Sequence, residues 1–551
     1  MSEQTCQNSE LARKRSTLDP WSIGAAIIAL AVLMPIFAII WFAFHPTDNI
    51  WPHLMSTTLP RYLANTGVLM FSVGAIAAAT GTGAAWFVVM YKFPGRRWLQ
   101  WALLMPLAVP AYVGAYALVD FFEYAGPVQT GMRAMFGWTN AQDYMFPAIR
   151  TRGAAVFVLS AALYPYVYIL ARAAFREQSG AGFEVARALG AGPFARFWRV
   201  GLPLARPAIA AGVAVVMMET VNDFGTVDYF AVQTLTTGIF SVWLQGGNLG
   251  GAAQLAVCVL TIIVMLVTLE KLSRRKSRFF ASARHTRPVT PTPLKGVRGW
   301  VVTCLCLIPL SVGFFLPVGV LLSHAMDAAE WSAKGLHLAI TRTVFVASIA
   351  AVLTVMGGVF MVYGVRLSQK RLPALLMPIT AIGYAAPGAV LALGILVPLA
   401  TFDNALADAI LSVTGYDPGL LLTGTSAALI LAYVVRFFAI AQGTADGALG
   451  RISPSLPMAA RSLGRSKVGT LRAVQLPLVR ASIGSALLLV FVDAVKELPA
   501  TLLLRPFNFD TLATRVHAKA SLENIAEAAP AALMISLIGL VAVALLARAN
   551  R

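Results

Sequence analysis

The chain reads as an all-α integral membrane protein, with twelve transmembrane helices in two six-helix halves and both termini cytoplasmic. Three observations predict this class. The composition is 58% hydrophobic and only 12% charged, with a mean hydropathy of +0.73 over 551 residues, against about 45–50% apolar and about 25% charged in soluble domains. The apolar residues gather into twelve runs of membrane-crossing length. The basic residues alternate in density from loop to loop. These features exclude a soluble enzyme, a disordered chain and a secreted disulfide scaffold.

About 20 apolar residues span roughly 30 Å of hydrocarbon. Runs of that kind occupy 21–44, 66–90, 99–120, 153–171, 207–227 and 252–270, then 300–322, 343–365, 373–400, 421–441, 481–503 and 529–547. The first is too long for a signal-peptide core and lacks a small-residue cleavage site, so it reads as an anchor. With the N-terminus inside, 32 of the 43 Lys and Arg fall on cytoplasmic segments, and the outside loops hold 13 of the 24 acids. That bias sets the orientation. The net charge of +19 is thereby read as topology and docking surface, and nucleic acid is not an expected partner.

Residues 1–272 form the first predicted half and 299–551 the second. The stretch 273–298 between them, basic and carrying Pro288, Pro291 and Pro293, reads as a cytoplasmic linker. A basic run beside a membrane also attracts anionic lipid.

An internal repeat joins the halves. Residues 184–203 and 458–477 match at a constant offset of 274, with Ala186/Ala460, Arg187/Arg461, Leu189/Leu463, Gly190/Gly464, Val200/Val474, Leu202/Leu476 and Pro203/Pro477 identical. Both lie between the fourth and fifth spans of their halves. The pattern predicts a short amphipathic helix stopped by glycine in the left-handed conformation. A turn and a second basic helix come next, which Pro203 or Pro477 prevents from continuing into the span.

At the same offset, Glu219, Asn222 and Asp223 fall on Asp493, Lys496 and Glu497. On a continuous helix i, i+3 and i+4 share a face, so each fifth span is expected to carry two carboxylates on one stripe. A charge within the membrane costs about 2.5–3.5 kcal/mol on insertion scales and marks a functional position. Four acids and one lysine suit a hard, oxygen-seeking cation, although Lys496 could equally neutralise Asp493 or Glu497 as a structural pair.

The paired loops resemble the EAA signature of the membrane subunits of binding-protein-dependent ABC importers: Glu184, Ala186 and Gly190 in one copy, Ala459, Ala460 and Gly464 in the other, with Val185 and Met458 as departures. The runs DFGTVDYF (223–230), KELPATLLLRPFNFDTLATR (496–515), TLTTGIFSVW (234–243) and TLATRVHAKA (511–520) look like the two halves of fused ferric-iron permeases of the FbpB type. The resemblance implies MetI-like halves in a bacterial inner membrane. It implies coupling helices gripping two copies of a cytoplasmic ABC ATPase, and ferric ion delivered by a periplasmic iron-binding protein. On that carry-over Glu184, Ala186, Arg187, Gly190, Leu202, Pro203, Ala460, Arg461, Gly464, Leu476 and Pro477 couple to the ATPases, and Glu219, Asn222, Asp223, Asp493, Lys496 and Glu497 line the pathway. Thiamine and phosphonate permeases share the fused architecture, and an ion-driven secondary transporter is the reading from another class.

No phosphate-binding G-x-x-x-x-G-K-[ST] occurs; Gly464–Thr470 has Thr where the lysine would be. The six histidines contain no i, i+4 pair, and Cys6, Cys258, Cys304 and Cys306 have no metal spacing. The sequence therefore assigns no catalytic residue, resident metal or covalent cofactor, and places ATP and Mg on partner subunits. Tyr164, Tyr166 and Tyr168, clustered in one span, read as packing residues.

Overall fold

In the computed structural model, residues 20–275, 289–326, 331–368, 371–380, 383, 386–453 and 455–549 are described. The N-terminal bases Arg13–Arg15, Cys6, Arg551 and linker residues 276–288 lie outside them. The described residues are helical apart from turns and one two-residue strand pair. Eleven helices are long and apolar enough to cross a membrane. The pair Arg96–Ala108 and Ala111–Phe136 passes the same test taken together and is bent by 92° at its break, the geometry of a broken span or a re-entrant loop. The bend sits where Val109 and Pro110 are extended, because proline pushes its predecessor out of the helical region and cannot donate to the turn before it.

The second half repeats this break. The run expected as one span, 373–400, is instead helix Arg371–Thr380 followed by Gly388–Thr414. Pro387 at φ −57°, ψ 150° matches Pro110 at φ −59°, ψ 143°.

The chain divides into two compact units, each discontinuous in sequence: 1–45 with 341–509, and 46–340 with 510–551. The units thus cut across the sequence halves. In the first unit, helix Pro20–Phe44 packs on Gly388–Thr414 and Arg371–Thr380. At Gly394 a Cβ would strike the Pro35 backbone, so the two helices meet main chain to main chain, as small residues permit in membranes. Trp21 stacks on Phe360 with ring centroids 4.8 Å apart.

In the second unit, Leu59–Met90 packs on Arg152–Glu177 and Leu202–Asn222. Tyr164 and Tyr168 are buried in that interface. The Tyr168 hydroxyl donates to the Gln100 carbonyl at 2.9 Å. Helix Ile525–Ala549 packs on Leu316–His324 and the turn Met105–Ala108. The segment leaving the linker is not loose: Thr292–Pro293 pairs in parallel with Tyr91–Lys92, and Leu294 N–H donates to the Lys92 carbonyl at 2.8 Å.

Candidate functional site: the paired loops and the helix breaks

The two predicted loops fold alike. Helix Gly180–Ala188 ends at Gly190, φ +80°, and helix Ser455–Ser462 at Gly464, φ +81°. In the first, Gly190 N–H donates to Arg187 O at 3.0 Å and Ala191 N–H to Ala186 O at 2.9 Å. In the second, Gly464 N–H donates to Arg461 O at 2.9 Å and Arg465 N–H to Ala460 O at 3.1 Å. Both are Schellman closures, which satisfy the last carbonyls of a helix and require the left-handed conformation that glycine adopts freely.

The role expected of the two prolines is corrected by the structure. Pro203 and Pro477 do not separate a loop helix from a span, because Pro193–Asn222 and Val468–Val495 each run on as one helix. The accommodation is a widened turn just before each proline, at Phe197–Gly201 and Leu471–Gln475, again 274 residues apart. There Leu202 N–H donates to Phe197 O and Leu476 N–H to Leu471 O, five residues back. Proline removes a donor and clashes with the carbonyl four residues earlier; a π-type turn absorbs both effects without ending the helix.

The loops present apolar side chains to solvent. Leu189 is 82% and Leu463 84% exposed, with Val185, Phe194, Trp198 and Met458 also exposed. Glu184, Arg187 and Arg461 are exposed beside them. Ala186 is half-buried and Ala460 buried, turned toward the protein. Each loop thus presents an exposed leucine with charged side chains beside it.

Each loop is anchored differently. In the first, Trp86 at the end of a span lies edge-on to Phe175 at 5.3 Å and Phe197 at 5.1 Å, and tilted to Phe183 at 5.9 Å. Gln178 donates to the Gly201 carbonyl at 3.0 Å. In the second, Val362, Ala445, Ala448, Leu449 and Val479 form an aliphatic cluster.

The acid positions also differ from expectation. The helices end at Asn222 and Val495, so Glu219 and Asp223, or Asp493 and Glu497, do not lie on one helical stripe. After each break a short helix begins, Gly225–Tyr229 and Pro499–Leu504, and the second acid caps it. Asp223 accepts from Thr226 N–H and Val227 N–H, both at 3.1 Å, and from the Thr226 hydroxyl at 2.9 Å. Glu497 accepts from Ala500 N–H and Thr501 N–H, both at 3.0 Å, and from the Thr501 hydroxyl at 2.8 Å. A carboxylate at the start of a helix satisfies its free donors and its dipole.

Charge balance then separates the breaks. Lys496 pairs with Asp493 at 2.7 Å, and Arg436 with Glu497 at 3.3 Å, where Glu497 is 4% exposed. Two acids meet two bases, so the excess of negative charge deduced from sequence does not hold at this break. Glu219 is half-buried near the other break. Asn222 is buried there with its side-chain oxygen lacking a hydrogen-bond partner.

Sequence reasoning passed over a third group, in the second unit. The Tyr116 hydroxyl lies 2.9 Å from His517 Nδ1, and His517 Nε2 is 4.0 Å from Asp228. Nearby, His324 lies 2.9 Å from Asp120. The partners are 401 residues apart for Tyr116 and His517, so no local spacing reveals them; the one sequence cue is a histidine two residues past the repeated TLTTG/TLATR segment. Both copies of that segment open on a threonine box: Thr234 N–H donates to Thr237 Oγ1 at 2.8 Å, and Thr511 N–H to Thr514 Oγ1 at 2.9 Å. Among the described residues, no three His, Cys, Asp or Glu side chains converge as a metal-binding group.

Residues 71–278 match the family described as the binding-protein-dependent transport system inner membrane component. The chain is 26% identical over 498 residues to the Fe(3+)-transport system permease protein FbpB 2 of Haemophilus influenzae, covering 88% of this chain and 89% of that one. It is 22% identical over 528 residues to the putative ferric transport system permease protein FbpB 1 of the same organism, covering 90% and 78%. A shorter match, 28% identical over 193 residues, joins 34% of this chain to 79% of the molybdenum transport system permease protein ModB of Escherichia coli. The matched segment holds the first of the paired loops and the first helix break, and the two ferric-named relatives extend the likeness over both copies. Residues 71–278 thus carry the likeness to the binding-protein-dependent transport inner membrane component, and over most of its length the chain is similar to the two ferric-named permeases.

Proposed function

We propose that this permease moves ferric iron, handed over by a periplasmic binding protein, into the cytoplasm by alternating access driven by two cytoplasmic ATPases. The observation that carries the reading is the duplicated rod. Each glycine-capped loop presents an exposed leucine and continues, through one uninterrupted helix, to an acid-capped break inside the membrane. A rigid helix rises 1.5 Å per residue, so a push at Leu189 or Leu463 passes through the glycine turn to the helix that starts at Pro193 or Val468 and along it toward Glu219 or Asp493. Glu184, Arg187 and Arg461 then steer the ATPase, while Ala186 and Ala460 allow close approach to the bundle. ATP and Mg belong to those partner subunits.

In this reading Glu219, with Asn222 beside it, offers oxygen donors to the passing cation, and Asp223 holds the break open by capping its far side. Asp493 and Glu497 act in balance with Lys496 and Arg436. Hard oxygen ligands suit a small, highly charged cation.

A second reading has an observation of its own. Charge neutrality at the Asp493–Glu497 break, together with the likeness to the ModB permease, also fits an oxyanion cargo. One experiment separates them: proteoliposomes containing the permease, its ATPase and its binding protein, supplied with labelled ferric ion or molybdate. ATP-dependent accumulation of iron, lost in Glu219→Gln, supports the iron reading. Accumulation of molybdate alone would replace it, and transport on a proton gradient without ATPase would remove the ABC mechanism altogether.

A further inference from the structure

A cleft of about 630 Å³ opens at the coupling-loop end of the second unit. Its walls are Arg96 and Arg97, at the start of the broken span, and Arg172 and Arg176, in the last turns of the helix that leads into the first coupling loop. Val289 and Pro291, from the end of the linker, close one side, and Trp101 another. Among the described residues, no Asp or Glu lines the cleft. Among the described residues no carboxylate lies within ion-pair distance of any of the four guanidinium groups.

Two of the four, Arg96 and Arg172, are held in place. Arg96 Nε donates to the Val88 carbonyl at 2.7 Å. Arg172 donates to the Gln100 carbonyl and side-chain oxygen, each at 3.3 Å, and stacks over the Trp101 ring at 4.7 Å. These neutral partners fix the geometry without cancelling charge. Four like charges around one partly buried cleft repel one another, and a bound anion relieves that repulsion. Guanidinium groups match the geometry of phosphate oxygens. Basic pockets between spans at the cytoplasmic side take phosphate headgroups.

We infer that Arg96, Arg97, Arg172 and Arg176 form a binding site for a phosphate-bearing anion, set between the broken span, the linker and the root of the first coupling loop. Its occupant ties three elements together at one point. Because Arg172 and Arg176 belong to the helix that ends in the coupling loop, occupancy stiffens the root of that loop. The bound anion is a resident of the protein, whatever the cargo.

The full-length protein, purified in detergent and stripped of lipid, is the sample. Native mass spectrometry counts retained phosphatidylglycerol against phosphatidylethanolamine, and thermal melting follows inorganic phosphate against chloride at equal ionic strength. Preference for phosphatidylglycerol without a phosphate response identifies a lipid headgroup; a phosphate-specific rise in melting temperature identifies a soluble phosphoryl compound. Either result requires that Arg96→Gln with Arg172→Gln weaken binding by roughly thirtyfold, two arginines at the contribution typical beside an acidic headgroup. If that pair does not fold, Arg97→Gln with Arg176→Gln, at exposed side chains, carries the same test. Equal retention of both lipids and no phosphate response in the unaltered protein overturns the site, as does binding that survives the pair tested.

Discussion

Arg436 and Glu497 meet at 3.3 Å directly against Gly388. The glycine opens the helix after Pro387, and a Cβ there would collide with Arg436 Nη1 and Glu497 Oε1 together. One buried ion pair therefore dictates the residue at a helix start in another segment. Gly388→Ala is expected to destabilise the protein by about 1–3 kcal/mol through overpacking, seen as a lower melting temperature in detergent. A neutral melting profile would mean that the pair yields more easily than this geometry implies.

Breaking that pair from one side should cost more than removing it. Arg436→Met leaves Glu497 buried and charged, a loss of about 3–5 kcal/mol for such pairs. Arg436→Met combined with Glu497→Gln should recover much of it, since Gln can still accept from Ala500 and Thr501. Thermal melts of the two variants settle the order, and equal losses would contradict it.

Gly190 and Gly464 are the positions at which a β-branched residue is least tolerable, costing about 1–2 kcal/mol in the left-handed region. Gly190→Val and Gly464→Val should each leave the protein in the membrane while abolishing most of the substrate-stimulated ATP hydrolysis of the reconstituted complex. Full stimulation in both would deny the loops a coupling role.

Trp86 holds only the first loop, through Phe175, Phe183 and Phe197. Trp86→Ala should lower stimulated hydrolysis more than Phe360→Ala, a change in the other unit at a ring that stacks on Trp21 instead. Paired ATPase assays compare them, and an equal effect would show that the anchors are interchangeable.

Asp143 provides a pH-dependent element in the 123–151 loop. Its carboxylate accepts from Asn140 N–H at 2.9 Å and Thr139 N–H at 2.7 Å, and these donors hold it below the usual carboxylate range. A depressed folded value means the stabilisation is complete above the unfolded value and lost as pH falls through the folded one. Amide exchange at Thr139 and Asn140, corrected for intrinsic rates, should lose protection in acid, and Asp143→Asn should lose it at neutral pH. Unchanged protection in Asp143→Asn would show that the loop stands without that carboxylate.

The repeat was legible because its signal is local. The glycine caps, the threonine boxes at 234 and 511 and the two acid positions recur at fixed offsets, and the structure reproduces them turn by turn. Element ends were harder to read. Pro203 and Pro477 look like stops, yet a widened turn carries the helix through. Asp223 and Glu497 look like further steps on a helix that has already ended. Arg436 could not be paired with Glu497 from spacing, nor His517 with Tyr116, because tertiary packing alone brings them together. Hydropathy likewise could not show that helix Pro20–Phe44 packs with residues far along the chain.

That last packing has a cost during synthesis. The first helix is complete near residue 44, but Gly388–Thr414, on which it rests through Pro35 and Gly394, is made more than three hundred residues later. At about 5–20 residues per second, it waits roughly twenty seconds to a minute in the bilayer with its small-residue seam uncovered. The chain must therefore be inserted without aggregating through that interval, and membrane insertion machinery or neighbouring lipid has to shield the helix until its partner arrives.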